Sequence, residues 1–318
     1  MRCVNKFVLP VCILLLSALV LAAPAGAAKS RALFLYWRGE TPCEAGLKQG
    51  LKALGAEIEI VEFNADQDKA KLTAYLESID QSSYAFIYTF GTTVSLEAAK
   101  VIKQTPLLFG IVTNPVESGL IASWESSGNN ITGVSHAIPY TDQVDFIVKL
   151  GPYKQIGIIY DQRAENATMA NDELKTLLGA KGIKLVGAPV SSEGELEGAV
   201  AALAAKKVDL VYLPSDSLVI ANADKVLTAI NNNNLPSYGA VEALVQKGAM
   251  AGIVGSYEMV GRLLADRAVK LLKGQKPSQI PSSFLPMEMQ TILVNAKTAQ
   301  KINANISYDV LNVAKILE

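Results

Sequence analysis

The chain has 318 residues, with 29 Lys and Arg against 30 Asp and Glu, one His and three Cys. That near-neutral balance, without basic runs, leaves no electrostatic footprint for nucleic acid or a membrane surface. The length is sufficient to bury a sizeable core, and two domains are the natural expectation.

Residues 1–27 read as a secretory signal peptide: Arg2 and Lys6 supply a basic start, Phe7 to Leu21 are almost all apolar, and Ala25-Gly26-Ala27 gives a small-residue cleavage pattern. A membrane anchor would need about 20 apolar residues without such a motif. Cys12 follows Leu9-Pro10-Val11, which lacks the small residue expected before a lipoprotein cysteine. The expectation is a soluble exported chain beginning near Ala28, with no stable membrane insertion. Arg2, Lys6, Cys3 and Cys12 leave with the signal, so 29 basic residues become 27 against 30 acidic ones, and Cys43 stays without a disulfide partner.

Strand-like apolar runs then alternate with amphipathic helical patterns, which argues for α/β architecture with parallel sheets. A first series covers Ala32 to Trp37, Glu57 to Phe63, Tyr84 to Phe90 and Leu107 to Val112, with helices starting near Pro42, Ala65 and Thr92. Asn64 followed by Gln67 suggests a weak capping box. Turn residues from Ser127 lead into a short extended piece ending at Val134, which reads as a crossover. A second series covers Gln155 to Asp161, Lys184 to Val190, Val208 to Leu213 and Ser237 to Val241, with helices near Ala164, Glu193 and Ser217. Ser192 with Glu195 fits a capping box, and Asn231 to Pro236 reads as a loop. Gly252 to Gly255 marks a second crossover before a helix over Glu258 to Lys273. Gly274-Gln275-Lys276-Pro277 starts a third, before a strand near Glu288 to Val294.

The expected fold is α/β: two doubly wound parallel-sheet lobes joined by a three-strand hinge. One lobe comprises 28–136 plus 255–280, the other 137–254 plus 281–318. Such hinges let two lobes close on a ligand.

Two segments echo each other across the lobes. Ala85 to Thr93 and Asp209 to Ser217 are each an apolar strand, a small polar turn and a helix start. In open α/β sheets ligands bind outside the carboxyl ends of the strands, where these turns lie. Superimposed, they set Thr92 against Asp216: a hydroxyl with free helix-start amides facing a carboxylate. That polarity suits a small zwitterion such as an amino acid. Trp37 ends a strand before a polar turn and is placed to stack on a ring or cation, with Arg38 beside it. His136, beside the first crossover, reads as a hinge or cleft-edge hydrogen bonder, and Cys43 as a small buried residue. A lone histidine makes no metal site. No dinucleotide, phosphate-loop, nucleophile-elbow or zinc-protease motif occurs, so neither an enzyme nor a cofactor is expected.

The stretches Thr105-Pro106-Leu107-Leu108-Phe109, Val112 to Leu120, Gly128 to Ser135 and Gly274 to Pro281 agree in content, order and spacing with one family. The chain resembles the ABC transporter substrate-binding proteins of the tryptophan/tyrosine type, which have the type I periplasmic binding fold. The resemblance implies a periplasmic, monomeric solute-binding protein that closes on a small ligand and delivers it to an inner-membrane ABC permease. A ligand-binding module serving a sensor or receptor is the alternative. It also implies that Gly91, Thr92 and Thr93 hold the ligand carboxylate and that Thr113 and Asn114 form a second turn. Glu165 and Asn166 resemble part of an Asn-x-x-Glu-Ala-Asn turn, and Glu165 with Asp216 would share the ammonium. Two places depart from the family: Trp37 to Pro42 replaces a turn resembling Val-Glu-His-Pro, and Ala240-Val241, followed by Glu242, replaces Ser-Asp. These departures leave room for a ligand with an extra acidic or basic group, met by Arg38 or Glu242.

Overall fold

The computed structural model describes residues 30–318, and the segment 1–27 expected to be a signal peptide lies outside them. The first lobe is built from β1 (Ser30–Tyr36), α1 (Pro42–Ala53), β2 (Ile58–Asn64), α2 (Lys69–Ser78), β3 (Phe86–Phe90), α3 (Gly91–Val101), β4 (Leu107–Gly110) and β5 (Ile131–Ser135). The chain then crosses into α4 (Tyr140–Leu150), β6 (Gln155–Asp161), α5 (Glu165–Ala180), β7 (Lys184–Val190), α6 (Leu196–Ala205) and β8 (Leu210–Leu213). The second lobe continues through α7 (Ser217–Ala221), α8 (Ala223–Asn232), β9 (Ser237–Gly239), α9 (Glu242–Gln246) and β10 (Ala251–Gly255). Two further crossings give α10 (Tyr257–Leu272) and β11 (Ser283–Phe284) to the first lobe. They return β12 (Gln290–Asn295), α11 (Ala296–Lys301), α12 (Tyr308–Val313) and β13 (Lys315–Leu317) to the second.

The first sheet has the order β11-β5-β4-β3-β1-β2 and the second β13-β12-β10-β9-β8-β6-β7. In both, the central strands are buried on both faces, as continuous apolar runs such as Leu107–Gly110 and Leu210–Leu213 require. All pairings are parallel except β10 with β12. That exception follows from the hinge: β10 runs toward it and ends there, while β12 starts from it, so Gly255 pairs with Gln290 and Ala251 with Val294.

The three crossings lie side by side. A Cβ on Gly255 would stand 3.1 Å from the His136 carbonyl and 2.8 Å from Leu285 Cδ2, and the Leu285 amide donates to the Ser135 carbonyl at 3.0 Å.

Some boundaries differ from the sequence reading. Ser127 to Val134 is not itself the crossover: Ile131–Ser135 is β5 of the first sheet, and the crossing follows at His136. The third crossing comes after Phe284 rather than at 280, because Thr132 Oγ1 donates to the Ile280 carbonyl and Ser282 Oγ accepts from the Gly133 amide. The helix expected near Ala65 begins at Lys69 under an Asp68 cap. Asn64 cannot cap it, since its Oδ1 accepts from the Gly39 and Asp66 amides and both Asp66 and Gln67 have positive φ.

The closest contact in the first lobe is between α1 and α10. Gly46 and Gly261 let the helices meet backbone to backbone: a Cβ on Gly46 would lie 2.2 Å from the Glu258 carbonyl, and one on Gly261 2.0 Å from that of Cys43. Around this seam Leu47, Leu51, Val260, Leu264 and Ala265 are fully buried.

Because the obstructing atoms belong to backbone, Gly261→Ala should cost on the order of 1–3 kcal/mol through forced helix separation. Gly179→Ala in α5, where nothing lies within 4 Å, should be neutral or stabilising. Denaturant midpoints of the two variants against the parent test this, and equal midpoints would disprove the seam.

Candidate functional site

The carboxyl ends of both sheets face one another across a cleft, and contacts span it. Arg38 Nη1 donates to Ser217 Oγ at 2.8 Å, His136 Nε2 lies 2.9 Å from Ser215 Oγ, and α3 touches α5. Between the lobes lies a narrow inner cavity of about 30 Å³. The first lobe contributes Trp37 and Arg38 after β1, Phe90 to Thr93 at the β3–α3 turn, and Ile111 after β4. The second contributes Asn166, Ser215 and Ser217, and Tyr257 enters from the start of α10. An outer cavity of about 290 Å³ shares Trp37, Thr93, Asn166 and Ser217 with it.

The β3–α3 turn has unfilled polar valences. Helix α3 starts after Phe90, which offers no side-chain cap, and Gly91 sits at φ +77, where a side chain would be strained. Thr92 is 6% exposed, yet its Oγ1 has no hydrogen-bond partner. A buried hydroxyl without a partner costs about 1–3 kcal/mol. Uncapped first-turn amides and this hydroxyl together form an anion site.

Across the cleft the acids divide by what already holds them. Asp161 takes a bidentate pair from Arg163, at 2.9 Å from Nε and 2.8 Å from Nη2. Glu97 is paired with Lys69 and Lys100. Asp216 is fully buried. Its Oδ1 accepts from the Leu218 and Val219 amides as the cap of α7, and its Oδ2 from the Asp161 amide at 2.6 Å. Burial raises the Asp216 pKa, and these backbone amides oppose the rise. It therefore ties the β6 and β8 turns together, reaching only the wall of the outer cavity. Glu165, exposed in the first turn of α5 and lining the same cavity, has a carboxylate that makes no ion pair or hydrogen bond among the described residues. Asn166 Nδ2 donates to the Ser215 carbonyl at 2.7 Å, fixing the two second-lobe turns to each other.

The structure thus gathers Trp37, Arg38, Gly91, Thr92, Thr93 and Asn166 around the inner cavity and Glu165 and Asp216 around the outer one. It does not bring Thr113, Asn114 or Glu242 to either. Thr113 is buried, with its carbonyl accepting from Ser135 Oγ. Asn114 Nδ2 donates to Glu117 at 2.7 Å and its side chain lies beside Glu173 of α5. Glu242 accepts from Gln246 and lines a separate cavity behind Arg38. Ile111 was not anticipated as a wall residue. It is a β-branched residue at φ 60, a strained backbone that apolar sequence does not reveal. Ser215, Ser217 and Tyr257 also line the cavity, and the Pro214 to Ser217 turn was the available signal for the two serines.

His136 does sit at the cleft edge, buried and edge-on to Tyr257, with its ring centroid 5.3 Å away. Burial, assisted by the charge of Arg38, pushes its pKa down to about 3. Cys43 is buried beside the Tyr88 hydroxyl, and burial raises its thiol pKa, which leaves it inert.

A family model described as ABC transporter substrate binding protein matches residues 39–317. Among curated relatives, a tyrosine-binding protein of Clostridioides difficile (strain R20291) is 28% identical over 261 residues, covering 80% of this chain and 75% of that one. A solved ABC domain in complex with L-Trp from Streptococcus pneumonia superposes with TM-score 0.85 at 23% identity, over 92% of this chain and 100% of that one. A conserved domain protein from Vibrio cholerae superposes with TM-score 0.84 at 25% identity, over 91% and 99%. The described residues contain no helix long and apolar enough to cross a membrane.

The histidine makes stability depend on pH. The unfolded chain protonates His136 near 6.5 and the folded one only near 3, so its contribution is complete above about 6.5 and is lost as pH falls toward 3. The slope is at most about 1.4 kcal/mol per pH unit. Between pH 7.5 and 5.0 the thermal midpoint of the parent should therefore fall more steeply than that of His136→Gln, and parallel curves would show a solvated imidazole.

Proposed function

The chain belongs to the family of ABC transporter substrate-binding proteins, and from that premise we propose that it binds a small zwitterion, an amino acid or a derivative, between its lobes. It is a family of binding proteins, not of enzymes. The ligand carboxylate sits at the start of α3, on the amides of Gly91 to Thr93 and the Thr92 hydroxyl. The ammonium turns to Glu165. The observation that carries the reading is the buried, unpartnered Thr92 Oγ1 at an uncapped helix start, across from the one cleft carboxylate without a partner among the described residues. The ligands printed for the C. difficile relative and the S. pneumonia structure, tyrosine and L-Trp, are of the same chemical kind.

Binding in this reading works by differential affinity. The first lobe holds the ligand, and only the closed arrangement adds Glu165, Asn166 and the two serines, so the ligand shifts the hinge toward closure. The exported, monomeric protein then presents the closed form to an inner-membrane ABC permease in the periplasm. Asp216 acts by positioning, holding the β6 and β8 turns that carry Glu165 and Ser215.

Calorimetry against the amino acids, preceded by native mass spectrometry of the purified protein, tests this. Thr92→Val and Glu165→Gln should each weaken binding by roughly 5- to 150-fold, the equivalent of 1–3 kcal/mol. The thermal midpoint of the free protein should stay unchanged in Glu165→Gln and rise in Thr92→Val, which removes a buried hydroxyl without a partner. Small-angle scattering should show a more compact particle at saturating ligand. Unchanged affinity in both variants, or no amino acid bound at all, would reject the assignment.

A further inference from the structure

Arg38 is a cation without an anion. It enters the inner cavity half-buried, its guanidinium carbon 5.2 Å from the centre of the Phe90 ring and Nη1 donating to Ser217 Oγ at 2.8 Å. No Asp or Glu lies within ion-pairing distance of it among the described residues. Three carboxylates line the cavity behind it, but each is turned to another residue: Glu40 to Lys48, Glu258 to Arg262 and Glu242 to Gln246. The inner cavity itself has one charged side chain, Arg38, and no carboxylate.

A guanidinium offers five N–H donors. Ser217 takes one, and the Tyr257 hydroxyl lies beside another. The others have no acceptor among the described residues, at a half-buried position between the two lobes. An aromatic ligand ring would leave those donors unfilled, and Phe90 already covers one face of the guanidinium. The α-carboxylate of an amino acid does not need them either. Its acceptor sites are filled by the first-turn amides of α3 and the buried Thr92 hydroxyl, which has no partner of its own. What Arg38 lacks is a second oxyanion.

We propose that the ligand carries an acidic group beyond its α-carboxylate, and that Arg38 binds this second acid in a charge-assisted, fork-shaped pair. The ligand class is an acidic amino acid or an amine-bearing dicarboxylate rather than a neutral aromatic one. This rests on the amino-acid reading above and narrows it. Ligand charge would then also set closure: Arg38 belongs to the first lobe and Ser217 to the second, so the second acid is held where the lobes meet.

The test is calorimetry of the full mature protein against L-aspartate, L-glutamate, their amides L-asparagine and L-glutamine, L-tyrosine, L-tryptophan and succinate. An acid should bind at least roughly 10-fold more tightly than its amide, the low end for a charged hydrogen bond. Arg38→Gln should abolish that preference, weakening the acid roughly 10- to 100-fold while leaving the amide within a few-fold. Arg38→Lys should restore part of the preference. Because Arg38 makes a single side-chain hydrogen bond in the fold, circular dichroism and the thermal midpoint of both variants should match the parent. If tyrosine or tryptophan binds more tightly than every acid, or if Arg38→Gln leaves the ranking intact, the second-acid proposal is overturned and the amino-acid reading survives. Succinate binding as tightly as aspartate would support Arg38 and remove the role given to Glu165. Binding by none of these compounds would overturn both.

Discussion

The geometry of the cleft depends on how closely α1 and α10 can approach. Helix-interior glycines are costly, by about 0.5–1 kcal/mol each relative to alanine, and this seam has Gly46 and Gly50 on one helix and Gly261 on the other. The cost is offset by burial of Leu47, Leu51, Val260 and Leu264 around the contact. The two helices also begin at the cleft. Arg38 lies in the turn that enters α1, where Thr41 and Glu44 close a capping box, and Tyr257 opens α10 under its Ser256 cap. Fixing the helices to each other therefore fixes Arg38 relative to Tyr257. Buried Glu44 extends the same restraint inward: Thr41 and Tyr88 donate to its carboxylate, which burial alone would have driven toward neutrality.

Much of this architecture was legible in sequence because it rests on periodicity. Gln155–Asp161 and Lys184–Val190 were placed at their observed ends, since each is a run of β-branched and apolar residues bounded by polar turns. The echo between β3–α3 and β8–α7 placed both turns at the cleft. What sequence left open was the consequence of packing. Helix α4 and the terminal β13 were not anticipated, although Val144, Ile147 and Leu150 share one face of α4. The late third crossing depends on Thr132 and Ser282 bonding across strands distant in the chain.

The site shows the same division more sharply. Residue type and turn position suggested Thr92, Glu165 and Asp216 alike, because an oxygen at a helix start reads the same whether it faces a ligand or a backbone amide. Only the hydrogen-bond inventory separates them: Thr92 Oγ1 has no partner, whereas Asp216 has three amide donors. Thr113 and Asn114 looked equivalent to the β3–α3 turn, yet Ile111 with its left-handed backbone takes the cavity wall in their place, and Asn114 turns to Glu117.

The polar contacts that now span the cleft also bear on how a ligand would move the lobes. Arg38–Ser217 and His136–Ser215 both link the two lobes, so contact between the lobes by itself satisfies some of the groups it buries. What it leaves unsatisfied is Thr92 Oγ1 and Nδ1 of His136, together with a cation whose neighbours are neutral hydroxyls and a ring. A neutral imidazole beside Arg38 costs less than a charged one, and burial holds His136 in that form. The positive charge of Arg38 is therefore not compensated from within the hinge. In the proposed function, a ligand that supplies acceptors at Thr92 and an anion at Arg38 would interact better with a closed than with an open arrangement, and that difference in interaction is the only quantity that could drive the lobes together.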